Sequence, residues 1–254
     1  MKKKRVRKIL VGIAVCLLVC GIGIIVYPHF LRWMYDRQIE KEYQEFVREL
    51  PPEPGDDNGI EKEETKEGEN ERTADGVRYE ELYRQMQEYN QRIYENGQTE
   101  LTDPWAYEQP SFNLTEYGFD ENVIGYVEIP KIHVVLPIYL GASQANMEKG
   151  AVHLSQTSLP IGGENTNCVI AGHRGYYGAK IFQQLVELDT GDEVLITNFW
   201  ETMTYQVVDT RTILSNEIDK LRIQEGQDML SLFTCYYQQN RKDRFVVYCK
   251  RSAS

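Results

Sequence analysis

The chain has 254 residues, 41% of them hydrophobic, which suits one medium-sized domain with extensions and a single sizeable core. Its formal net charge of −11 argues against nucleic acid as a partner, because such binding needs a basic face. The charge is uneven along the chain. Residues 2–8 are almost all basic, whereas residues 51–76 carry ten acidic side chains against three basic ones.

Residues 9–27, "ILVGIAVCLLVCGIGIIVY", carry no charge. As a helix they would extend about 28 Å, close to the thickness of the hydrocarbon layer of a bilayer. The basic residues 1–8 predict a cytoplasmic N-terminus and an extracellular remainder. A cleaved signal peptide is the alternative, but the run is long for one and no small-x-small cleavage site follows. The sequence therefore predicts a single-pass anchor in the cell membrane.

Four segments separate this anchor from the β-rich part of the chain. Residues 28–50 have apolar side chains at helical spacing and predict a juxtamembrane helix that ends before two prolines. The acidic segment 51–76 is poor in hydrophobic residues and predicts a flexible linker. Residues 77–97 predict a second helix that Asn-Gly ends, and residues 98–117 form a loop.

Residues 118–251 consist of short β-rich runs separated by turn-forming residues, a pattern typical of an all-β barrel or sandwich. The runs are "IGYVEIP", "VVLPIYL", "NCVIAGH", "EVLITNF", "TYQVVDTRTIL", "MLSLFTC" and "RFVVYCK". Short helices are predicted at Gln144–Lys149 and at 181–186.

Of the histidines, only His173 ends an apolar strand between glycines, where the backbone can turn sharply. His29 lies at the membrane boundary, His133 within or beside a strand, and His153 in a loop, and none of these is favoured for chemistry. A structural, hydrogen-bonded role remains the alternative for His173.

Strand parity separates the cysteines. Cys168 and Cys249 alternate with core-type residues and predict small buried side chains. Cys235 ends a strand before a polar loop, where its thiol can reach solvent.

Cys235, His173 and Arg244 thus form a candidate nucleophilic site. A thiolate attacks a carbonyl, an imidazole transfers the proton, and an arginine cation stabilises the developing negative charge. Arg241, six residues after Cys235, is a further candidate for the cation. The sequence contains no G-x-S-x-G, P-loop, HExxH or CxxC motif, and we expect no metal and no cofactor.

These residues resemble the sortase family, in particular the pilin-polymerising class C. The family's histidine lies in a G-H-R-G sequence, here Gly172-His173-Arg174-Gly175; its cysteine ends a T-L-x-T-C strand, here "SLFTC"; and its arginine follows nine residues later, here Arg244. The resemblance implies an eight-stranded sortase-type β-barrel over 118–251.

The resemblance also implies the reaction. Cys235 would attack the threonine carbonyl of an LPXTG-like sorting signal, cleaving the Thr-Gly bond, and His173 would protonate the departing amine. The acyl group would then pass to an amine nucleophile, a pilin lysine in pilus assembly. Arg244 would hold the substrate backbone and stabilise the oxyanion. The expected partners are therefore pilins or surface proteins with C-terminal sorting signals.

Class C sortases carry a lid with an Asp-Pro-Trp or Asp-Pro-Phe motif, which Asp103-Pro104-Trp105 matches. By this resemblance Asp103 would pair with Arg244, and the Trp105 ring would cover the Cys235 thiol. Pro104 limits the turn that presents both side chains. We therefore expect a resting enzyme that is slow until the lid opens.

The chain departs from the class C pattern at four places. Ser231 replaces a threonine, Tyr236-Tyr237 replace Thr-Pro, Asp243 replaces a common histidine, and "CKRSAS" stands where many class C enzymes have a second membrane helix. Two alternatives to pilus assembly stay open. One is a sortase that attaches surface proteins to the peptidoglycan cross-bridge, and the other is a non-enzymatic surface protein whose barrel binds a partner.

Overall fold

The computed structural model describes residues 2–49, 68–99, 101, 110–119, 121–175, 182–214, 217–236 and 243–252. Eight strands form a closed barrel: β1 (Val123–Ile129), β2 (Val134–Leu140), β3 (Ala151–His153), β4 (Thr166–Ala171), β5 (Glu193–Asn198), β6 (Thr202–Leu214), β7 (Asp228–Tyr236) and β8 (Asp243–Arg251). Their order around the barrel is β1-β2-β3-β4-β7-β8-β6-β5. The predicted eight-stranded barrel is confirmed.

Seven of the eight strands coincide with the runs that the sequence predicts. The eighth, β3, has only three residues, too few for an alternating pattern to be recognised. β3 pairs in parallel with β2 and antiparallel with β4, and so joins the two halves of the barrel. The predicted loop position of His153 is therefore wrong, because this residue ends β3.

Three α-helices accompany the barrel: α1 (Lys2–Glu49), α2 (Gly68–Glu95) and α3 (Gln144–Lys149). The α1 helix joins the predicted anchor and juxtamembrane segments into one helix, with Pro28 inside it. The α2 helix begins nine residues before the predicted start at 77, and so takes in the end of the segment predicted as a linker. Short 3₁₀ turns in the described part of the chain are Leu114–Tyr117, Pro130–Ile132, Leu185–Glu187 and Ile218–Leu221.

Alternation along the strands sorts the buried side chains into two clusters. The inner cluster fills the barrel, because every strand contributes to it at alternate positions; Cys168, Ile170, Leu232, Val247 and Cys249 belong to it. The outer cluster takes residues of opposite parity, among them Val152, Ala171, Phe233 and Val246, and α3 covers it through Met147.

The two long helices pack on the barrel by different means. The α2 helix buries an apolar stripe of Leu82, Met86, Tyr89 and Ile93 in the inner cluster. Its buried Asn90 accepts a hydrogen bond from the amide of Leu159 at 2.7 Å. The α1 helix contacts the barrel mainly through aromatic rings, with Phe46 5.1 Å from Tyr126 and 5.4 Å from Phe199, measured between ring centroids.

Candidate active site

His173 is held at the end of β4 by bonds between its neighbour Gly172 and β7. The two strands run parallel, with Ala171 opposite Phe233. The Gly172 amide donates to the Phe233 carbonyl at 3.2 Å, and the Thr234 hydroxyl donates to the Gly172 carbonyl at 2.9 Å. Since Gly172 is bound to β7 through both its amide and its carbonyl, the position of the next residue, His173, is fixed beside that strand.

Cys235 and Arg244 are direct partners in the antiparallel ladder of β7 and β8. Such partners lie on one face of a sheet, with Cα atoms about 4.5–5.5 Å apart. The Cys235 side chain lies outside the described part of the structure, so its placement follows from the backbone register. Continuing the register of β4 and β7 by two residues sets His173 beside Cys235. The three predicted site positions thus fall on neighbouring strands, at one end of the barrel.

The parity of these positions places them on the outer surface of the barrel. Two residues from each site position lies a member of the outer cluster, namely Ala171, Phe233 and Val246. Because side chains alternate between the two faces of a strand, the site positions continue the outer surface instead of entering the barrel. A substrate can therefore approach them without opening the inner core.

Arg244 supplies a permanent positive charge at this end of the sheet. Its side chain is half-buried, and its Nη1 donates to the Asp243 carbonyl at 3.1 Å. A guanidinium cannot lose its proton in a protein, so it acts as a donor and never as a base. A cation beside a cysteine favours the thiolate, the reactive form of that side chain.

The pKa of His173 lies below its ordinary value of 6.5, because burial disfavours the charged imidazolium. The carboxylate of Glu148, on α3, acts in the opposite direction and raises this pKa. The imidazole is therefore mostly neutral near pH 7. A neutral imidazole can accept a proton from a thiol and return it to a leaving amine.

Two further cysteines, Cys168 and Cys249, are core residues, as strand parity predicts. Cys168 and Cys249 are buried in the inner cluster, and burial raises the pKa of both thiols. A thiol that stays protonated is a poor nucleophile. Both cysteines are thereby separated from the candidate chemistry.

His153 is a structural histidine. Its Nε2 lies 2.9 Å from the Ser158 carbonyl oxygen, and burial lowers its pKa to about 4. His133 is exposed in a turn before β2, with a φ of 51°. Neither residue lies at the strand ends that bring His173 and Arg244 together.

Sequence reasoning missed a chain of buried polar residues between β4 and β7. Ser231, the departure from the family's threonine, is fully buried and donates to Asn167 Oδ1 at 3.0 Å. Asn167 in turn donates to the Leu221 carbonyl at 2.9 Å. Serine keeps the hydroxyl that this chain of bonds uses. The role of Thr234 could have been predicted, because this threonine directly precedes the cysteine in the family's T-C dipeptide. No sequence feature indicated that Glu148 lies near His173.

Residues 51–67 of the predicted linker lie outside the described residues, and so do two predicted features of the site. These are the lid motif Asp103-Pro104-Trp105 and the loop 237–242, which contains Arg241. The residues on either side of the lid are described: Leu101 is buried, and Pro110 is partly buried. The site that the structure describes therefore consists of the two strand ends, the start of β8 and their supports.

A Sortase domain family model matches residues 127–252. Sortase D of Bacillus subtilis (strain 168) is 32% identical over 130 residues, which cover 50% of this chain and 63% of that protein. The chain thus spans less than two thirds of the length of this curated relative.

Solved structures match over a larger share of their own length. Streptococcus pneumoniae sortase C has a TM-score of 0.62 and 32% identity, covering 74% of this chain and 96% of that one; it is described in terms of catalysis and pilin substrate specificity. A lid mutant of Streptococcus agalactiae sortase C1 has a TM-score of 0.62 and 29% identity, covering 70% and 91%.

The closed eight-stranded barrel is that of a sortase-type protein, and its structural neighbours include class C sortases. The chain belongs to the sortase family, whose members are cysteine transpeptidases.

Proposed function

We propose that the chain is a membrane-anchored sortase that joins a sorting-signal protein to an amine through Cys235, with pilins as its substrates. The observation that carries the proposal is the register of β4, β7 and β8, in which Arg244 is the direct partner of Cys235 and His173 follows β4 on the same face. Relatives described in terms of pilin substrate specificity support the choice of substrate.

In the proposed first half-reaction the Cys235 sulfur attacks the threonine carbonyl of an LPXTG-like signal. A C–S bond forms as the Thr-Gly C–N bond breaks, and His173 passes the proton from the thiol to the departing glycine amine. Arg244 donates to the carbonyl oxygen, on which negative charge develops. The product of this step is a thioacyl enzyme.

In the second half-reaction an amine attacks the thioester. The new amide C–N bond forms as the C–S bond breaks, and His173 returns the amine's proton to the sulfur. A pilin lysine as the amine extends a pilus, whereas a peptidoglycan cross-bridge amine anchors a protein to the wall. Mass spectrometry of the conjugate formed with candidate pilins and cross-bridge peptides distinguishes these acceptors.

The test of the reaction is Cys235→Ala, assayed with an LPXTG-type peptide and an amine acceptor. We expect no joined product and no thioacyl adduct by mass spectrometry. The matched control is Cys20→Ala, which removes a thiol within the uncharged segment and should retain full activity. Product formation by Cys235→Ala at the native rate would rule out Cys235 as the nucleophile.

We also propose that Asp103, Pro104 and Trp105 form a lid over the site. The motif match and the lid of the Streptococcus agalactiae relative support this assignment. Trp105→Ala should increase the rate at which a maleimide labels Cys235, because the ring would no longer cover the thiol. Tyr107→Ala, in the same loop but outside the motif, is the control. Equal labelling rates in the native chain and Trp105→Ala would rule out the proposed lid.

Finally, we propose that residues 9–27 span the cell membrane, with the N-terminus cytoplasmic and the barrel extracellular. Within the described residues, α1 holds one stretch that is long and apolar enough to cross a bilayer, judged by length and composition. Protease added to intact cells should digest the barrel and spare the N-terminal residues. Protection of the barrel would reverse this topology.

A further inference from the structure

The α1 helix has a barrel-facing side just beyond the uncharged segment. Ile39 is 5% exposed, and the Tyr35 hydroxyl donates to the Lys149 carbonyl. Tyr43 donates to Glu128 at 3.1 Å. These residues and Phe46 recur at helical spacing, so they share one face. The helix therefore docks along the barrel as it leaves the predicted membrane span.

The opposite side of the same helical segment carries exposed aromatic and basic groups. Phe30 and Trp33 are each 51% exposed, and their ring centroids lie 6.0 Å apart. The Arg37 guanidinium lies 4.6 Å from the Trp33 ring centroid. At roughly 100° per residue, these three residues centre on the side of α1 facing away from Tyr35 and Ile39. Tryptophan with a neighbouring arginine is typical of the interface between lipid and water.

Successive residues of α1 contact barrel elements in the order in which the strands lie around the barrel, and this order leads towards the site. Farthest from the uncharged segment, Phe46 packs on Phe199, after β5. The next contact is that of Tyr43 with Glu128 on β1. The last is that of Tyr35 with the Lys149 carbonyl, where α3 leads into β3. The strand after β3 in the barrel is β4. The closer a residue of α1 lies to the predicted membrane span, the closer its contact on the barrel lies to the site strand β4.

The other end of this helical segment, around Phe46, lies near the end of the barrel away from the site. Phe199 is two residues from Glu201, whose carboxylate pairs with Arg251 at 2.8 Å. Arg251 ends β8, the strand that Arg244 opens beside Cys235. The α1 helix therefore runs from the site side of the barrel, near the span, to the opposite side, farther from it.

We propose that docking on α1 turns the site end of the barrel towards the membrane, with Phe30 and Trp33 seated in the lipid headgroup layer and Arg37 at its outer edge. This inference rests on the membrane anchoring in the proposed function. Tyr35 lies about 12 Å along the helix from Tyr27, the last residue of the uncharged segment, only slightly beyond the headgroup layer. The site is thereby suited to substrates whose scissile bond is held near the bilayer surface.

The test measures orientation without any substrate. The full chain, with Cys16, Cys20 and Cys235 replaced by alanine, carries one fluorophore on a cysteine introduced either by Gly175→Cys at the site end or by Glu164→Cys at the far end; both native residues are exposed. It is inserted in phosphatidylcholine–phosphatidylglycerol vesicles with nitroxide-labelled headgroups. We expect a clear loss of fluorescence at 175 and a smaller loss at 164. Equal losses, or a larger loss at 164, overturn the proposal.

A second pair of variants tests the docking itself. Ile39→Asp places a carboxylate in the buried contact and should make the two losses of fluorescence equal. Gln44→Asp adds the same group on an exposed side of α1 and should leave them different. If the chain does not float with the vesicles, both the proposed membrane anchor and this inference are wrong. Retained orientation in these variants, together with no peptide joining by the native chain, counts against the enzymatic function alone.

Discussion

The two ends of the barrel are held together differently. At the end away from the site, side chains form the framework: Asp228 accepts hydrogen bonds from the Tyr205 hydroxyl and the Gly163 amide, both at 2.9 Å. Arg251, also at that end, pairs with Glu201 at 2.8 Å. Charged side chains at that end therefore link neighbouring strand ends and bind the turn at Gly163.

At the site end the backbone provides the framework. Gly172 is bound to β7 through its amide and its carbonyl, and Arg244 is positioned by the ladder. The pairing of neighbouring strands therefore brings a histidine, a cysteine and an arginine to neighbouring positions. The same strands thus carry a framework of charged side chains at one end and the proposed site at the other, and substitutions at matched positions can test this division.

The largest effect is expected for Arg244→Gln. Loss of the cation that we propose stabilises the oxyanion should lower kcat/KM by about 100-fold or more, with little change in stability. Kinetics with a sorting-signal peptide and an amine measure it. Arg251→Gln, at the other end of β8, is the control and should keep native kinetics. A similar loss of kcat/KM in both variants would contradict the division.

Asp228→Ala should have the converse effect. It leaves the Tyr205 hydroxyl and the Gly163 amide without their acceptor, and should lower the free energy of unfolding by about 2–4 kcal/mol. Denaturant unfolding of the full chain in detergent measures this, and activity per folded molecule should be unchanged. Asp228→Asn retains an acceptor oxygen and should lose less. Native stability of Asp228→Ala would disprove the framework role of this carboxylate.

Thr234→Val tests whether the hydrogen bond between Thr234 and Gly172 positions the site. It removes the hydroxyl that binds the Gly172 carbonyl and should cost about 1 kcal/mol of stability. Because this bond sets the position of His173, kcat should also fall, while KM stays near its native value. Thr166→Val removes a hydroxyl that donates to the Gly163 carbonyl at the far end, at 2.6 Å. A fall in kcat there as well would count against a specific effect at the site.

The smallest effect is expected on the protonation of His173. In Cys235→Ala, an NMR titration should give a midpoint below the ordinary pKa of 6.5, because burial disfavours the imidazolium. Glu148→Gln removes a carboxylate that stabilises the imidazolium and should lower the midpoint further. Glu121→Gln, which removes a carboxylate paired with Lys149, should leave it unchanged. An upward shift in Glu148→Gln would show that the sign of this interaction is wrong.

Local patterns were enough to predict most of the strands and the faces of their cysteines. Cys168 and Cys249 alternate with apolar residues, and the structure buries both in the inner cluster. Alternation is a property of neighbouring residues, so it can be recognised without knowing the fold. The strand β3 was missed because three residues carry no period, and the early start of α2 because its first turns lack an apolar stripe.

Sequence by itself determined the uncharged segment, the alternating strands and the motifs that contain His173, Cys235 and Arg244. Tertiary structure decided that β4 lies beside β7, that Glu148 approaches His173, and that α1 docks along the barrel through Ile39. The physical reason is the range of the interactions. Residue type and spacing fix local conformation, whereas pairings between strands about 60 residues apart depend on which closed barrel buries the most apolar surface.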